Sequence, residues 1–233
     1  MDTFSSSRSE PVVLPRSVEA QVYGLFALAM ALTLVGTFIG MQFATMLLGT
    51  GFIFVLLIAE LAIVFTSRWW VQQSPLNILL FGLFPLLSGI TITPFILSVV
   101  TGYVDGGNIL INAFGATAFM AAAAALFART TTWNLGVMAK ALFIGIIGLI
   151  GVGILQIFFP SLQGGTTELF VSGAGVIIFA LFTAFDIQRI QRMGRFGVNP
   201  FLLALSLYLD IFNLFLYVLR FMLALSGNRR RSW

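Results

Sequence analysis

The chain has 233 residues, 59% of them hydrophobic and 9% charged, with a mean hydropathy of +1.05. Soluble domains carry about 25% charged residues, so a water-soluble core is excluded. The net charge of +4 comes with no His and no Cys, which excludes disulfides, thiolate chemistry, imidazole metal sites and a histidine pH switch.

Residues 1–20 read as a polar arm of mixed charge. The apolar run that follows is too long for the core of a cleavable signal peptide, so none is expected. Residues 21–46 make a first uncharged span, and 47–65 a second that contains Glu60. The stretch 66–74 is a loop with Arg68, Trp69 and Trp70, a set suited to the headgroup level. Residues 76–100 make a third span. Pro85 and Pro94 interrupt it and bracket Ser88, Gly89, Thr91 and Thr93. Such a stretch is either a packed kink, whose hydroxyls satisfy freed carbonyls, or a pore-lining segment.

A turn at 101–108 leads to a fourth, alanine-rich span at 109–128. The fifth, 137–159, carries Gly145, Gly148, Gly151 and Gly153, small residues that predict close helix packing. After a loop at 160–168 come the sixth and seventh spans, 169–190 and 200–225. The tail 227–233 ends the chain with three arginines. Seven spans of about 22 residues use about 154 positions and leave no room for a soluble domain. The fold class is therefore all-α: one seven-span membrane domain, residues 21–226. The lipid bilayer is its first partner, and nucleic acid is not expected.

Charge sets orientation. With the N-terminus inside, the inner segments hold Arg8, Arg16, Arg68, Arg129, Lys140, Arg189, Arg192 and Arg195. The outer loops hold only Asp105 and Glu168, a strong positive-inside pattern. The arginine tail is the exception, because seven full crossings place it outside.

Two acids stand out. Asp186 lies in the sixth span and Asp210 in the seventh. A carboxylate at the middle of a membrane helix costs about 2.5–3.5 kcal/mol on insertion scales, which marks it as functional by default. The basic turn at 192–195 makes the two helices antiparallel neighbours. With the bend near residue 195, Asp186 sits about 9 residues from it and Asp210 about 15. At about 1.5 Å per residue their depths differ by roughly 9 Å, close enough for the pair to meet. Two carboxylates in contact in a low dielectric share one proton and titrate in two steps. Protonated, they clasp the helices together; ionised, they repel or admit a cation. Their oxygens, with Asn213 one turn on and Gln188 nearby, are hard donors suited to a weak Ca²⁺, Mg²⁺ or Mn²⁺ contact. Weak binding fits permeation. Arg220 is either an ion-pair partner on the seventh span or a snorkelling residue.

The segments Ala184-Phe185-Asp186-Ile187-Gln188 and Ala204-Leu205-Ser206-Leu207-Tyr208-Leu209-Asp210-Ile211-Phe212-Asn213, followed by Leu219-Arg220, resemble those of the Bax-inhibitor family. The seven-span layout, the aspartate spacing and Ala59-Glu60-Leu61 are similar to its bacterial members. The resemblance implies a seventh helix at the centre of the other six. It implies a pH-sensitive Ca²⁺ leak governed by a di-aspartyl pair, which falls on Asp186 and Asp210. Glu60 and Arg220 become polar residues along the ion's route. Arg68 is the nearest candidate for the family's latch arginine, though no motif aligns it. Phe185 stands where many members have tyrosine.

The resemblance also implies a membrane AAA protease as a partner and a bacterial inner membrane, with the N-terminus cytoplasmic, as the location. Two other readings remain: a non-conducting regulator that binds membrane proteins through its arm or tail, and a proton-coupled cation exchanger. An enzyme is not expected. Intramembrane aspartyl proteases approach their second aspartate through Gly-x-Gly, where this chain has Leu207-Tyr208-Leu209. No bound cofactor is expected beyond a permeant Ca²⁺.

Overall fold

The computed structural model describes residues 17–162, 165–193 and 198–226. Most of the arm, the turn residues Gly194 and Arg195, and the tail lie outside the described residues. The rest is helical: α1 (Val18–Gln42), α2 (Ala44–Gly49), α3 (Phe52–Phe65), α4 (Ser67–Trp70), α5 (Leu76–Gly102), α6 (Gly106–Thr130), α7 (Ala139–Phe158), α8 (Gly165–Met193) and α9 (Pro200–Leu225). Six of these, α1 and α5 to α9, are long and apolar enough to cross a membrane.

The expected second span does not form one continuous helix. It is broken at Thr50–Gly51, where Gly51 adopts φ +69°, and α3 has only 14 residues. At about 1.5 Å per residue α3 reaches about 21 Å, short of a hydrocarbon core of about 30 Å. The first span also stops earlier than expected, at Gln42. Hydropathy is blind to this break, because the residues around it are as apolar as a helix interior.

Helix ends follow local chemistry. Ser17 caps α1 by accepting from Ala20 N at 3.2 Å. Asn199 caps α9 through Phe201 N at 2.9 Å, with Pro200 at the first helical position. The same Asn199 donates Nδ2 to Val71 O at 2.6 Å and ties the start of α9 to the end of α4. In the expected loop at 66–74 the two tryptophans part company. Trp69 is 79% exposed, whereas Trp70 is 2% exposed and donates Nε1 to Ile63 O at 2.9 Å. At the other side of the chain α8 begins a turn earlier than expected, which places Glu168 in its first turn.

α9 is the most buried of the six long helices and packs against α8, α1, α6 and α5. The closest crossing joins α1 to α5. A Cβ added at Gly36 would overlap the carbonyl of Leu86, and one at Gly89 would overlap the carbonyl of Thr33. Gly40 meets Thr93 in the same seam. The proline-bracketed part of α5 is thus packed inside, with Ser88, Gly89 and Thr93 buried. The glycines of α7 behave otherwise than expected. Gly145 touches Ile178, but Gly148, Gly151 and Gly153 have nothing within 4 Å of an added Cβ.

One end of the bundle collects most of the basic residues among those described. Arg129 at the end of α6 pairs with Glu19 at the start of α1, Nη2 to Oε1 2.7 Å. Arg192 near the end of α8 donates to Asn134 Oδ1 at 2.7 Å in the α6–α7 connection. Gln188 clamps that connection from α8, accepting from Leu135 N at 2.9 Å and donating to Trp133 O at 2.8 Å. Its amide is therefore spent on loop backbone.

Candidate functional site

Asp186 and Asp210 meet inside the bundle. They are 3% and 8% exposed, and their carboxyls are side-chain hydrogen-bonding neighbours. The antiparallel packing of α8 and α9 brings them level. From the end of α8 to Asp186 is 7 residues and from the start of α9 to Asp210 is 10, so their depths differ by about 4.5 Å at about 1.5 Å per residue. Ser206, one turn before Asp210 on the same face of α9, is a further hydrogen-bonding neighbour of Asp186. Arg189, one turn after Asp186 on α8, places Nη1 3.8 Å from Asp186 Oδ1.

Among the described residues, the buried side-chain atoms left with no partner are Asp186 Oδ2 and Asp210 Oδ2. Two ionised carboxylates are acceptors only, so while both are ionised the neighbouring carboxyls cannot bond each other. One proton placed between them turns one carboxyl into a donor and satisfies both. A cation placed there would do the same by charge. The arrangement can therefore hold a proton or a cation at a fixed point between the last two helices.

Glu60 stands apart from this pair. It accepts from Ser88 Oγ at 3.0 Å and from Thr91 Oγ1 at 2.7 Å, both on α5. Nearby, Tyr208, fully buried, has its hydroxyl 2.8 Å from Thr33 Oγ1. Ser88 is also a hydrogen-bonding neighbour of Tyr208. A polar chain thus runs from α3 through α5 and α9 to α1. Among the described residues no group of three or more acidic side chains could hold a metal ion.

Arg220 is an ion-pair residue. Its Nε lies 2.7 Å from Glu168 Oε1 and its Nη2 3.0 Å from Glu168 Oε2, a two-nitrogen grip across α8 and α9. The guanidinium also sits over the Tyr217 ring, 5.5 Å from its centroid. Asn213 donates to Leu209 O at 2.8 Å and lines, with Phe95, Leu216, Tyr217 and Arg220, an open cavity of about 390 Å³. Asp210, Asn213, Tyr217 and Arg220 follow one another at helical spacing, so this cavity continues the face of α9 that carries Asp210. Arg68 lies beside Val71, Val198 and Asn199 around a cavity of about 770 Å³. The structure brings it to the basic end, whereas the cation beside Asp186 is Arg189.

Sequence reading named the pair but missed Ser206 and Arg189 beside it, and Glu168 as the partner of Arg220. Ser206 and Arg189 are legible in retrospect as one-turn neighbours of the two aspartates. Glu168 is not, because its place in the first turn of α8 depends on a helix start that hydropathy does not mark.

Comparison with known proteins agrees with this architecture. The family model described as inhibitor of apoptosis-promoting Bax1 matches residues 15–228. The Campylobacter jejuni protein Cj0236c is 35% identical over 221 residues, covering 91% of this chain and 93% of that protein. The inner membrane protein YbhL of Escherichia coli K12 is 32% identical over 249 aligned positions, covering 99% of this chain and 100% of that protein. A Helicobacter pylori relative is 29% identical over 198 residues, covering 85% of this chain and 82% of its own length. With its six membrane-length helices and a family match over most of its length, this chain is a multi-pass membrane protein that belongs to the Bax-inhibitor family.

Proposed function

We propose that the protein is a pH-sensitive cation leak, with Ca²⁺ as the permeant ion, gated by Asp186 and Asp210. The observation that carries this reading is that Asp186 and Asp210 are buried neighbours and that each keeps one carboxyl oxygen with no protein donor. At acid pH a shared proton clasps α8 to α9. As pH rises and the proton leaves, mutual repulsion favours separation or occupation by a cation. Two carboxylates without a third acidic ligand make a weak contact, which suits passage more than storage.

The topology proposed with it has seven crossings around a central α9, the N-terminus in the cytoplasm and the bacterial inner membrane as location, the last in line with YbhL. Residues 43–65 make the second crossing as two pieces, α2 and α3. The support is connectivity. α1 starts at the basic end, where Glu19 meets Arg129, and the end of α4 is tied to Asn199 at that same end. The chain between must return across the bundle. With this orientation Arg129, Arg189 and Arg192 face the cytoplasm.

The test is Ca²⁺-indicator flux in proteoliposomes. Flux should rise from pH 6 to pH 8 with equal pH on both sides. Flux that needs a pH difference across the membrane would instead indicate proton exchange. No flux at any pH would leave a regulator of other membrane proteins, a membrane protease among them. Because the chain has no cysteine, labelling of single cysteines at Thr131 and Ser226 should report opposite sides of the membrane.

A further inference from the structure

A second feature lies within the membrane-spanning helices, away from the aspartates. Phe26, Met30 and Leu34 of α1, Ala118 and Ala121 of α6, and Phe212 of α9 line part of a cavity of about 280 Å³. It would hold about nine waters at about 30 Å³ each, but a cavity walled by aliphatic and aromatic groups stays dry.

Its three hydroxyls do not change this. Thr33 Oγ1 is bonded to Ala29 O at 2.9 Å and to the Tyr208 hydroxyl at 2.8 Å. Thr37 Oγ1 donates to Thr33 O at 2.9 Å, and Thr117 Oγ1 to Ala113 O at 2.7 Å. Each is engaged within the protein, which leaves a site for hydrocarbon.

The mouth of the cavity faces outward. Leu34 is 64% exposed, and Phe114 and Ala118 are exposed beside it, whereas Ile92, Thr117 and Phe215 are buried at the back. α1 packs chiefly on α5 and α9, and α6 on α8, α9 and α5. The two are joined at the basic end by Glu19 and Arg129 and leave a window above that clasp. In a bilayer the medium at such a window is lipid tails.

We infer that this window between α1 and α6 is a binding site for one acyl chain of a membrane phospholipid, which reaches inward to Ile92 and Phe215 on α5 and α9. The chain would lie against Ile211 and Phe212, the residues that directly follow Asp210. The inference needs only the membrane location of these helices and stands whether or not the protein conducts ions.

The experiment uses the full chain in vesicles of phosphatidylethanolamine, a fraction of it carrying a diazirine in the acyl chain. After irradiation, adducts are mapped by mass spectrometry. Adducts are expected on the recessed residues Met30, Thr117 and Phe215, as well as on the outward-facing Ile111 and Phe119. Ala121→Phe should remove the recessed adducts and leave those on Phe119, and a thermal midpoint in detergent equal to that of the unaltered chain reports that the variant is folded. Adducts confined to outward-facing residues in the unaltered chain would overturn the site, whatever the variant does. So would recessed adducts that persist undiminished in Ala121→Phe.

Discussion

The carboxyls of Asp186 and Asp210 meet from adjacent antiparallel helices, and each leaves one buried oxygen with no protein partner, which a proton or a cation between them would satisfy. Asp210→Asn tests which it is. The amide N–H donates permanently to Asp186, so the variant mimics the protonated pair. Flux at pH 8 should fall to its pH 6 level, and the rise between them should disappear. An unchanged pH curve, measured with the same calcium indicator, would remove Asp210 from the gate.

Arg189 shares its helix with Asp186 and sits 3.8 Å from it, beyond a direct hydrogen bond. A cation there favours the ionised form of the pair. Arg189→Gln withdraws that charge, so the proton should be held to higher pH. The flux curve should move to higher pH with its maximum retained. A loss of maximal flux with no displacement would instead mean that Arg189 lines the route.

Much of this site was legible in the sequence, because a carboxylate in an apolar span costs about 2.5–3.5 kcal/mol to insert and so must have a partner or a task. Asp186, Asp210 and Glu60 declare themselves that way, and the positive-inside pattern predicted the grouping of basic residues that Arg68, Arg129 and Arg192 display at one end. What stayed hidden depends on contacts between distant segments. Glu60 stood out as a lone acid in an apolar span, but nothing in the sequence names Ser88 and Thr91 of α5 as the hydroxyls that hold it. The break at Gly51 was hidden by the even hydropathy around it. The glycines were misjudged because spacing alone does not say whether a neighbour lies opposite: three in α7 face open space, while Gly36 and Gly89 touch backbone.

That contrast sets a stability test. At Gly36 or Gly89 a methyl group meets carbonyl oxygens of the opposing helix, and α1 and α5 must move apart. Gly36→Ala and Gly89→Ala should each cost about 1–3 kcal/mol, the range for overpacking. Gly148→Ala meets nothing and gains helix propensity, so it should be neutral or stabilising by up to about 1 kcal/mol. Thermal unfolding in detergent compares the three; equal midpoints would contradict the close crossing of α1 and α5.

Glu60 offers a milder case. If it is replaced by alanine, Ser88 keeps its bond to Phe84 O at 3.1 Å and Thr91 keeps Ser88 O at 3.2 Å. No hydroxyl is orphaned, and what is lost is the tether between α3 and α5. Glu60→Ala should cost only about 1 kcal/mol, in line with hydrogen bonds in membrane bundles. Because α3 is short and lies next to the break at Gly51, the loss should appear locally, as faster hydrogen exchange in α3 with α5 unchanged. Uniformly faster exchange through α5 and α9 would mean that Glu60 holds the whole polar chain to Tyr208.

Arg220 stands at the other end of the face that carries Asp210. Its guanidinium is held by both oxygens of Glu168 and lies over Tyr217, at the rim of the cavity that Asn213 lines. A fixed positive charge there opposes a cation moving along α9, and Glu168 offsets part of it. Arg220→Gln removes the positive charge and leaves Glu168 facing the cavity. Cation flux at pH 8 should rise several-fold, with its dependence on pH retained, because Asp186 and Asp210 are untouched. Glu168→Gln should act in the opposite direction, leaving Arg220 uncompensated and lowering flux. If both variants lower flux equally, the ion pair serves only to hold α8 to α9, and the cation's route does not pass Arg220.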